Sequence, residues 1–449
     1  MARERAAEKR SFWPWLWLWT VVGLAIRLAT VYGRPNRVAG GDPKFYHETA
    51  RMLVDGNGFI NPAFWYFHGQ HHVVQTASWP PLFTFLLAIP IVFGFPTFFA
   101  ARIWSCVIGA AAIVVCGLAG REIAGRRVGL IAALILAIYP NIWMTSELAA
   151  AEVLSPLLTA LVLWTAYRFW RRPTLGNVAW LGASIGLAAL GRDELALLAV
   201  FLLPLVLLAR TCSWNKRLLM VVVGGASAAL LVVPWIGFNL SRFDRPVFIS
   251  SGLGVTLASA NCNTTYYGTF EGYWSLYCAL QVPRSSNVDE SVNAAHAESY
   301  ALKYIRSHED RLLPVALARV GRGFAFFRPF QQIRLDAFIE TRPKHWALLG
   351  LWMYYALLVG AVAGTVILRR RRIPVFPLWA IGLDVLFVFL VSFGNTRYRV
   401  TLEVSLVLLT AVTVDWLWSA WSTRRGRGVR QPAEERTGAE ADAPVTVTA

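Results

Sequence analysis

Charge is scarce in this chain, and what there is leans one way. Only 15% of the 449 residues are charged against 56% hydrophobic, and 26 acidic residues face 43 basic ones. A soluble domain carries about a quarter of its residues as charges, so a water-covered globular surface is excluded, and a disordered chain with it. Five cysteines are too few for a secreted disulfide scaffold. No Walker loop and no G-x-G-x-x-G between strand and helix occurs, so a nucleotide is not expected; an enzyme of this shape would take its activated substrate from the membrane. No cysteine–histidine spacing suits zinc, and His71-His72 stands without further ligands. What is abundant is long apolar sequence, in runs that approach or exceed the roughly 20 residues needed to cross hydrocarbon. The composition implies an all-α, polytopic integral membrane protein.

The net charge of +17 would suggest nucleic acid in a soluble protein, but here the excess sits in short runs between apolar segments: Arg126-Arg127, Arg171-Arg172, Lys216-Arg217, Arg369 to Arg372 and Arg424-Arg425. That is the pattern of cytoplasmic loops, and no nucleic-acid partner is expected. A basic N-terminus, 1–11, precedes an apolar stretch too long for a cleaved signal, so 12–32 reads as a retained span. Further spans are expected near 98–119, 128–145, 150–168, 175–191, 194–210, 218–238, 345–368, 374–393 and 400–421, about ten in all with both termini cytoplasmic. The stretch 80–95, short and broken by Pro90, fits an interfacial helix. The expected organisation is a membrane core over 12–238 with a first outer loop at 32–79. An extracytoplasmic cap at 239–344, C-terminal spans at 345–421 and a disordered cytoplasmic tail at 422–449 follow.

Cys106, Cys116 and Cys212 lie in or beside spans, whereas Cys262 and Cys278 share the outer loop, where disulfides persist. A bridge closing their 15 intervening residues would stabilise the loop by about 3 kcal/mol. Ionisable residues at membrane edges are costly and thereby functional candidates. Asp42 follows the first span. Glu147 and Glu152 lie at one outer turn, and Arg192-Asp193-Glu194 at another. Arg397 and Arg399 lead into the last span, with Glu403 below. Acids and arginines from four turns thus meet one leaflet, a pattern suited to activating a hydroxyl and neutralising a phosphate. Each also has a bland reading, as a turn residue, a self-satisfied ion pair or a snorkelling arginine. A transporter or lipid flippase is the competing class, but it would call for internal repeats and midplane charges, and no repeat is visible.

The stretch "GGDPKFYHETARMLVDGNGF" followed by "WPPLFTFLLAIP" resembles the first outer loop of the GT-C superfamily of polytopic glycosyltransferases. The nearest groups are the bacterial relatives of the protein mannosyltransferases and of the aminoarabinose transferase acting on lipid A. The matching positions are Asp42, Tyr46, Ala50, Leu53, Gly56, Gly58, Phe59, Trp79, Pro80, Pro81, Leu82 and Phe83. "RRVGLIAALILAIYPNIWMTSELAAAEVL", "GLAALGRDELALL" and "GNTRYRVTLEVSLVLL" resemble later family segments in the right order, with Glu152 in the place of the second acid and Glu147 the weaker choice. The chain departs from the pattern where Pro43 follows Asp42 and where Ser78-Trp79 replaces a Glu-Lys pair. It departs again where Phe238 stands for the arginine of W-x-x-R-N.

The resemblance implies a GT-C-like fold and inverting transfer of a sugar from a polyprenyl-phosphate donor to an envelope lipid, glycan or protein at the outer face of the cell membrane. In that scheme Asp42 is the general base, and Glu152 orients the acceptor or helps to hold a divalent metal. Arg192, Arg397 and Arg399 hold the donor phosphate, with Lys44 and His47 as alternates and Tyr46 beside them. Asp42 and Glu152 are the only metal ligands it offers, for magnesium or manganese, and the residues leave metal dependence undecided.

Overall fold

The computed structural model describes residues 2–37, 40–63, 73–209, 213–283, 285 and 288–428, with backbone alone for 2–11 and 424–428. His71, His72, Cys212 and the expected tail beyond 428 lie outside the described residues. The described residues form helices and turns with no strand; one isolated antiparallel bridge joins Ile60 to Gln75 in the first loop.

Among the described residues six helices are long and apolar enough to cross a membrane: Phe12–Tyr32, Phe98–Ala124, Ala151–Arg171, Trp214–Leu240, Lys344–Arg370 and Thr396–Thr423. Two more segments, Arg126–Ile138 and Pro140–Ser146, pass together as one span bent by 61°. The bend has a local cause. Proline cannot donate a hydrogen bond and pushes the residue before it out of the helical region, and Tyr139 before Pro140 is accordingly extended (φ −72°, ψ 115°). Leu175–Gly191 and Phe376–Val391 are apolar but shorter. The span expected near 194–210 is not continuous. It consists of three short helical turns, Asp193–Leu197, Leu198–Phe201 and Leu203–Leu207, the last with Pro204 in its first turn. Of the ten spans expected, six helices among the described residues, or seven with the bent pair, have the full length and apolarity, and Leu175–Gly191 and Phe376–Val391 are shorter. The stretch expected at the interface is the helix Leu82–Val92, with Pro90 inside it.

Between lipid-soluble helices there is little hydrophobic gain on association, so close backbone approach has to supply the packing. Leu175–Gly191 meets Trp214–Leu240 in this way. A Cβ added at Gly182 would collide with the carbonyl of Gly224, and one at Gly186 would come within 2.8 Å of Ala228 O. The two glycines are four apart and share one helix face. Trp214–Leu240 is otherwise largely exposed, with 17% of its apolar window buried, so this seam is its main attachment. By contrast, 67% of the last span is buried and its inner residues Val404, Leu406, Val407 and Leu408 are inaccessible. This helix is the axis of the bundle.

The segment 239–344, expected on the outer side, is organised by Leu253–Ala260, Glu290–Arg306, Leu312–Gly323 and Pro329–Ile339. The cysteines expected to pair do so, Cys262 with Cys278. Glu290 ties this segment to the first loop: its carboxylate accepts from Thr76 Oγ1 (2.6 Å), Ala77 N (3.0 Å) and Ser251 Oγ. Arg242 adds a second tie, donating to Phe59 O (3.0 Å), Gln75 Oε1 (3.1 Å) and Thr76 O (2.7 Å). Its guanidinium lies 4.5 Å from the Phe238 ring, one turn beyond the position where the family pattern has an arginine.

Gly182→Val is expected to wedge the two helices apart and lower the thermal unfolding midpoint in detergent by several degrees. Gly237→Val, at a position with open space around it, should leave the midpoint unchanged within error. Equal midpoints for the two variants would remove the seam from the account.

Candidate functional site

Asp42 opens the helix Asp42–Val54, where the first amide N–H groups lack helical partners and an acidic side chain is electrostatically favoured. The residue before it, Gly41, has φ 66°, a left-handed conformation open to glycine and strained for most other residues. The Asp42 carboxylate is about one-third exposed and its Oδ2 accepts from Arg397 Nη2 at 2.8 Å. Arg397, in the first turn of the axial helix, also donates through Nε to Glu152 Oε1 (2.8 Å) and through Nη2 to the same oxygen. Glu152 lies in the turn Ala151–Val153, at the head of the span that follows, and is almost fully buried.

The network continues on both sides. Arg192 Nη1 lies 3.3 Å from Glu152 Oε1 and its Nε 2.6 Å from Glu194 Oε1, while its guanidinium sits over the Tyr398 ring at 5.2 Å. Asp193 accepts from Ser250 Oγ, bringing the outer segment to this turn. On the other side Glu340 Oε1 lies 3.5 Å from Arg397 Nε, and Glu340 Oε2 lies 2.5 Å from Arg342 Nε. Burial pushes the Glu340 carboxyl above the usual carboxylate range, against the pull of Arg342 and Arg397 and with the push of Asp336 and Glu152. Five segments distant in sequence therefore share one alternating chain of charges: Glu194, Arg192, Glu152, Arg397, then Asp42 and Glu340. Within it Glu152 Oε2 is buried with no hydrogen-bond partner, and so is Glu340 Oε2, which lies beside Arg342.

The other residues singled out from the sequence fall in different places. Tyr46 is buried against Trp79 and Phe83, its ring centroid 5.8 Å and 5.2 Å from theirs, and burial together with Glu152 and Asp42 pushes its phenol up, so it stays neutral. Lys44 is exposed on the Asp42 helix. His47 is not brought to the cluster. It lies on another face of its helix, 5.5 Å from the Phe98 ring, where burial pulls its imidazole down.

Arg399 is also apart from the cluster, although Arg397 is two residues away. A helix turns by about 100° per residue, so Arg399 points into the bundle, donating to Glu403 Oε1 (2.7 Å) over the Tyr354 ring (3.8 Å). Glu147 serves a neighbouring pair, 2.7 Å from Arg37, with Arg102 donating to its carbonyl. Glu340 and Arg342 were not singled out, yet they carry the same mark as the others. They are ionisable residues in Glu340-Thr341-Arg342-Pro343, directly before a span.

A divalent cation does not fit between Asp42 and Glu152 as they stand, because the Arg397 guanidinium bonds to both and occupies that place. No group of three or more His, Cys, Asp or Glu suited to a metal occurs among the described residues.

Residues 78–238 match the model of the family described as dolichyl-phosphate-mannose-protein mannosyltransferase. No curated protein sequence matches the chain. Among solved structures, the archaeal oligosaccharyltransferase AglB from Archaeoglobus fulgidus, in complex with an inhibitory peptide and a dolichol-phosphate, is similar with a TM-score of 0.57 and 16% identity. That alignment covers 96% of this chain and 53% of that one. The Archaeoglobus fulgidus oligosaccharyltransferase in complex with zinc and sulfate gives a TM-score of 0.54 at 17% identity, covering 92% and 50%. ArnT from Cupriavidus metallidurans bound to undecaprenyl phosphate aligns with a TM-score of 0.43 and 16% identity, covering 93% and 81%. The chain spans about half the length of the oligosaccharyltransferase it matches.

If Arg397 is the shared partner of Asp42 and Glu152, the two positions should be coupled. Breaking a buried pair from one side costs roughly 3–5 kcal/mol, whereas removing both partners costs less than the sum. Arg397→Leu alone should lower the unfolding midpoint more than the double variant Arg397→Leu/Glu152→Leu. Additive midpoint shifts would show that the pair does not interact. Over nearly its whole length, then, this multi-pass membrane protein shares the fold of part of the archaeal oligosaccharyltransferase, and its residues 78–238 match the mannosyltransferase family model.

Proposed function

We propose that the chain is a membrane glycosyltransferase that moves a sugar from a polyprenyl-phosphate donor to a hydroxyl of an envelope lipid, glycan or protein. The reaction inverts the anomeric centre and takes place at the extracytoplasmic face of the cell membrane. The observation that carries this reading is the arrangement of a partly exposed carboxylate, Asp42, beside two arginines that have N–H groups to spare at one end of an apolar bundle.

In this reading Asp42 takes the proton of the acceptor hydroxyl as its oxygen attacks the anomeric carbon. The bond from that carbon to the phosphate oxygen breaks with its electron pair on the phosphate, which leaves as an anion and needs no general acid. Charge growing on the leaving phosphate needs donors fixed in advance. Arg192 Nη2 and Arg397 Nη1 take no part in the carboxylate bonds described above and supply them. Glu152 orients the acceptor through Oε2, the buried oxygen left without a partner. The isoprenoid lies along Leu82–Val92, whose Phe85, Ile89 and Val92 are exposed. The outer segment 239–344, which reaches the site through Ser250 and Glu340, caps it.

Transfer by the purified protein in lipid tests this, with radiolabelled polyprenyl-phosphate sugars as donors and a membrane extract as acceptor. Asp42→Ala and Asp42→Asn should each reduce transfer by at least about 100-fold while the protein remains folded. Transfer that survives both variants would move the base elsewhere. Because Arg397 stands between the two acids, chelation with EDTA should leave the rate within about twofold; loss on chelation and recovery with magnesium or manganese would show that Arg397 yields its place to a metal.

A further inference from the structure

We propose that the end of the bundle opposite Asp42 holds a binding site for an anionic phospholipid headgroup, built by Arg168, Arg171 and Arg172. The helix Leu154–Arg171 begins beside Glu152 and ends at these arginines. At about 1.5 Å per residue this places them some 28 Å away, on the other side of the hydrocarbon layer. Contacts at that end agree: Arg171 Nε lies 3.7 Å from Glu122, near the C-terminus of Phe98–Ala124.

The three arginines, with Glu122, Trp170 and Ile373, line a groove of about 580 Å³, within the range of cavities that hold small ligands. Three guanidinium groups face one carboxylate. Arg168 is oriented by Asn177 (Nε to Oδ1, 3.2 Å) and Arg171 by the carbonyl of Ile123 (Nη2, 3.3 Å). Most of their N–H groups take no part in these bonds. The wall behind is fixed, since Tyr167 donates to Pro374 O at 2.6 Å and so joins the end of this helix to the turn that follows Lys344–Arg370.

Oriented guanidinium groups bind phosphate oxygens in pairs. The half-exposed Trp170 ring beside them belongs at the level of lipid headgroups. A basic pocket between helix ends on the arginine-rich side of a membrane suits an anionic lipid whose acyl chains continue along the spans. The site is remote from Asp42, so its test needs no transfer reaction.

The full-length protein in detergent would be mixed with equal amounts of phosphatidylglycerol and phosphatidylcholine, and bound lipid read by native mass spectrometry. Phosphatidylglycerol adducts are expected to dominate. They should fall at least about fivefold in Arg168→Ala/Arg171→Ala/Arg172→Ala, and likewise in the triple Arg→Gln variant, which keeps polarity and bulk should the alanine protein fail to fold. Arg245→Ala, an exposed arginine of the outer segment, serves as the control and should keep wild-type occupancy. Unchanged occupancy in a folded triple variant would overturn the site. Displacement of the lipid by millimolar inorganic phosphate would overturn the lipid as its ligand in favour of a free anion.

Discussion

The end of the bundle that carries Asp42 depends on one guanidinium. Arg397 lies in the first turn of the axial helix and bonds to carboxylates from the first loop and from the Ala151–Val153 turn, with a third, from the end of the outer segment, close by. Taking an ion out of water costs several kcal/mol, and only well-aligned opposite charges return it. Asp42, Glu152 and Glu340 could not approach one another this closely without a cation among them. Arg397 is therefore the condition for bringing four separate segments to one point, and it also prevents the acids from forming a ready cage for a metal.

The same chain of charges explains how an anionic donor could be received. Arg192 and Arg397 are held by carboxylates through some of their N–H groups, so their side chains are ordered before any ligand arrives. Each guanidinium has five donors, and the ones left over face no competition from within the network. In the proposed reaction a phosphate would add to bonds already made rather than displace them. Glu340, its carboxyl raised above the usual carboxylate range by burial, is held between Arg342 and Arg397.

Much of this was legible in the residues, for physical reasons. Long apolar runs and short basic loops are global constraints set by the bilayer, and they located the long spans within a few residues. Asp42, Glu152, Arg192 and Arg397 were visible because charge beside a span is expensive wherever it occurs. What was not legible depends on rotation and three-dimensional approach. Arg397 and Arg399 are equivalent in sequence, yet helical phase sends one to the acids and the other to Glu403. His47 stands five residues from Asp42 and faces Phe98 instead. The run 194–210 has the apolarity of a span but not its geometry, since Pro204 and the short turns before it interrupt the helix. The Gly182–Gly224 seam could not be read because each glycine acquires meaning only from the other helix.

The departures from the family pattern acquire a structural sense from these contacts. Where the pattern has an arginine, Phe238 offers a ring, and Arg242 one turn later stacks on it at 4.5 Å while donating to the first loop. A guanidinium is present in the region, then, but it is engaged in clasping Phe59 and Thr76 and is turned from the acids. Likewise Ser78, in the place of a lysine's neighbour, follows backbone that Glu290 holds through Thr76 and Ala77. The first change puts a structural tie where the pattern has a cation, and the second sets Ser78-Trp79, in place of the Glu-Lys pair, directly after such a tie. On the proposed reading, the positive charge that a donor phosphate would meet is that of Arg192 and Arg397. Selectivity for the donor would be set by the space around those two side chains, not by a ring of basic groups.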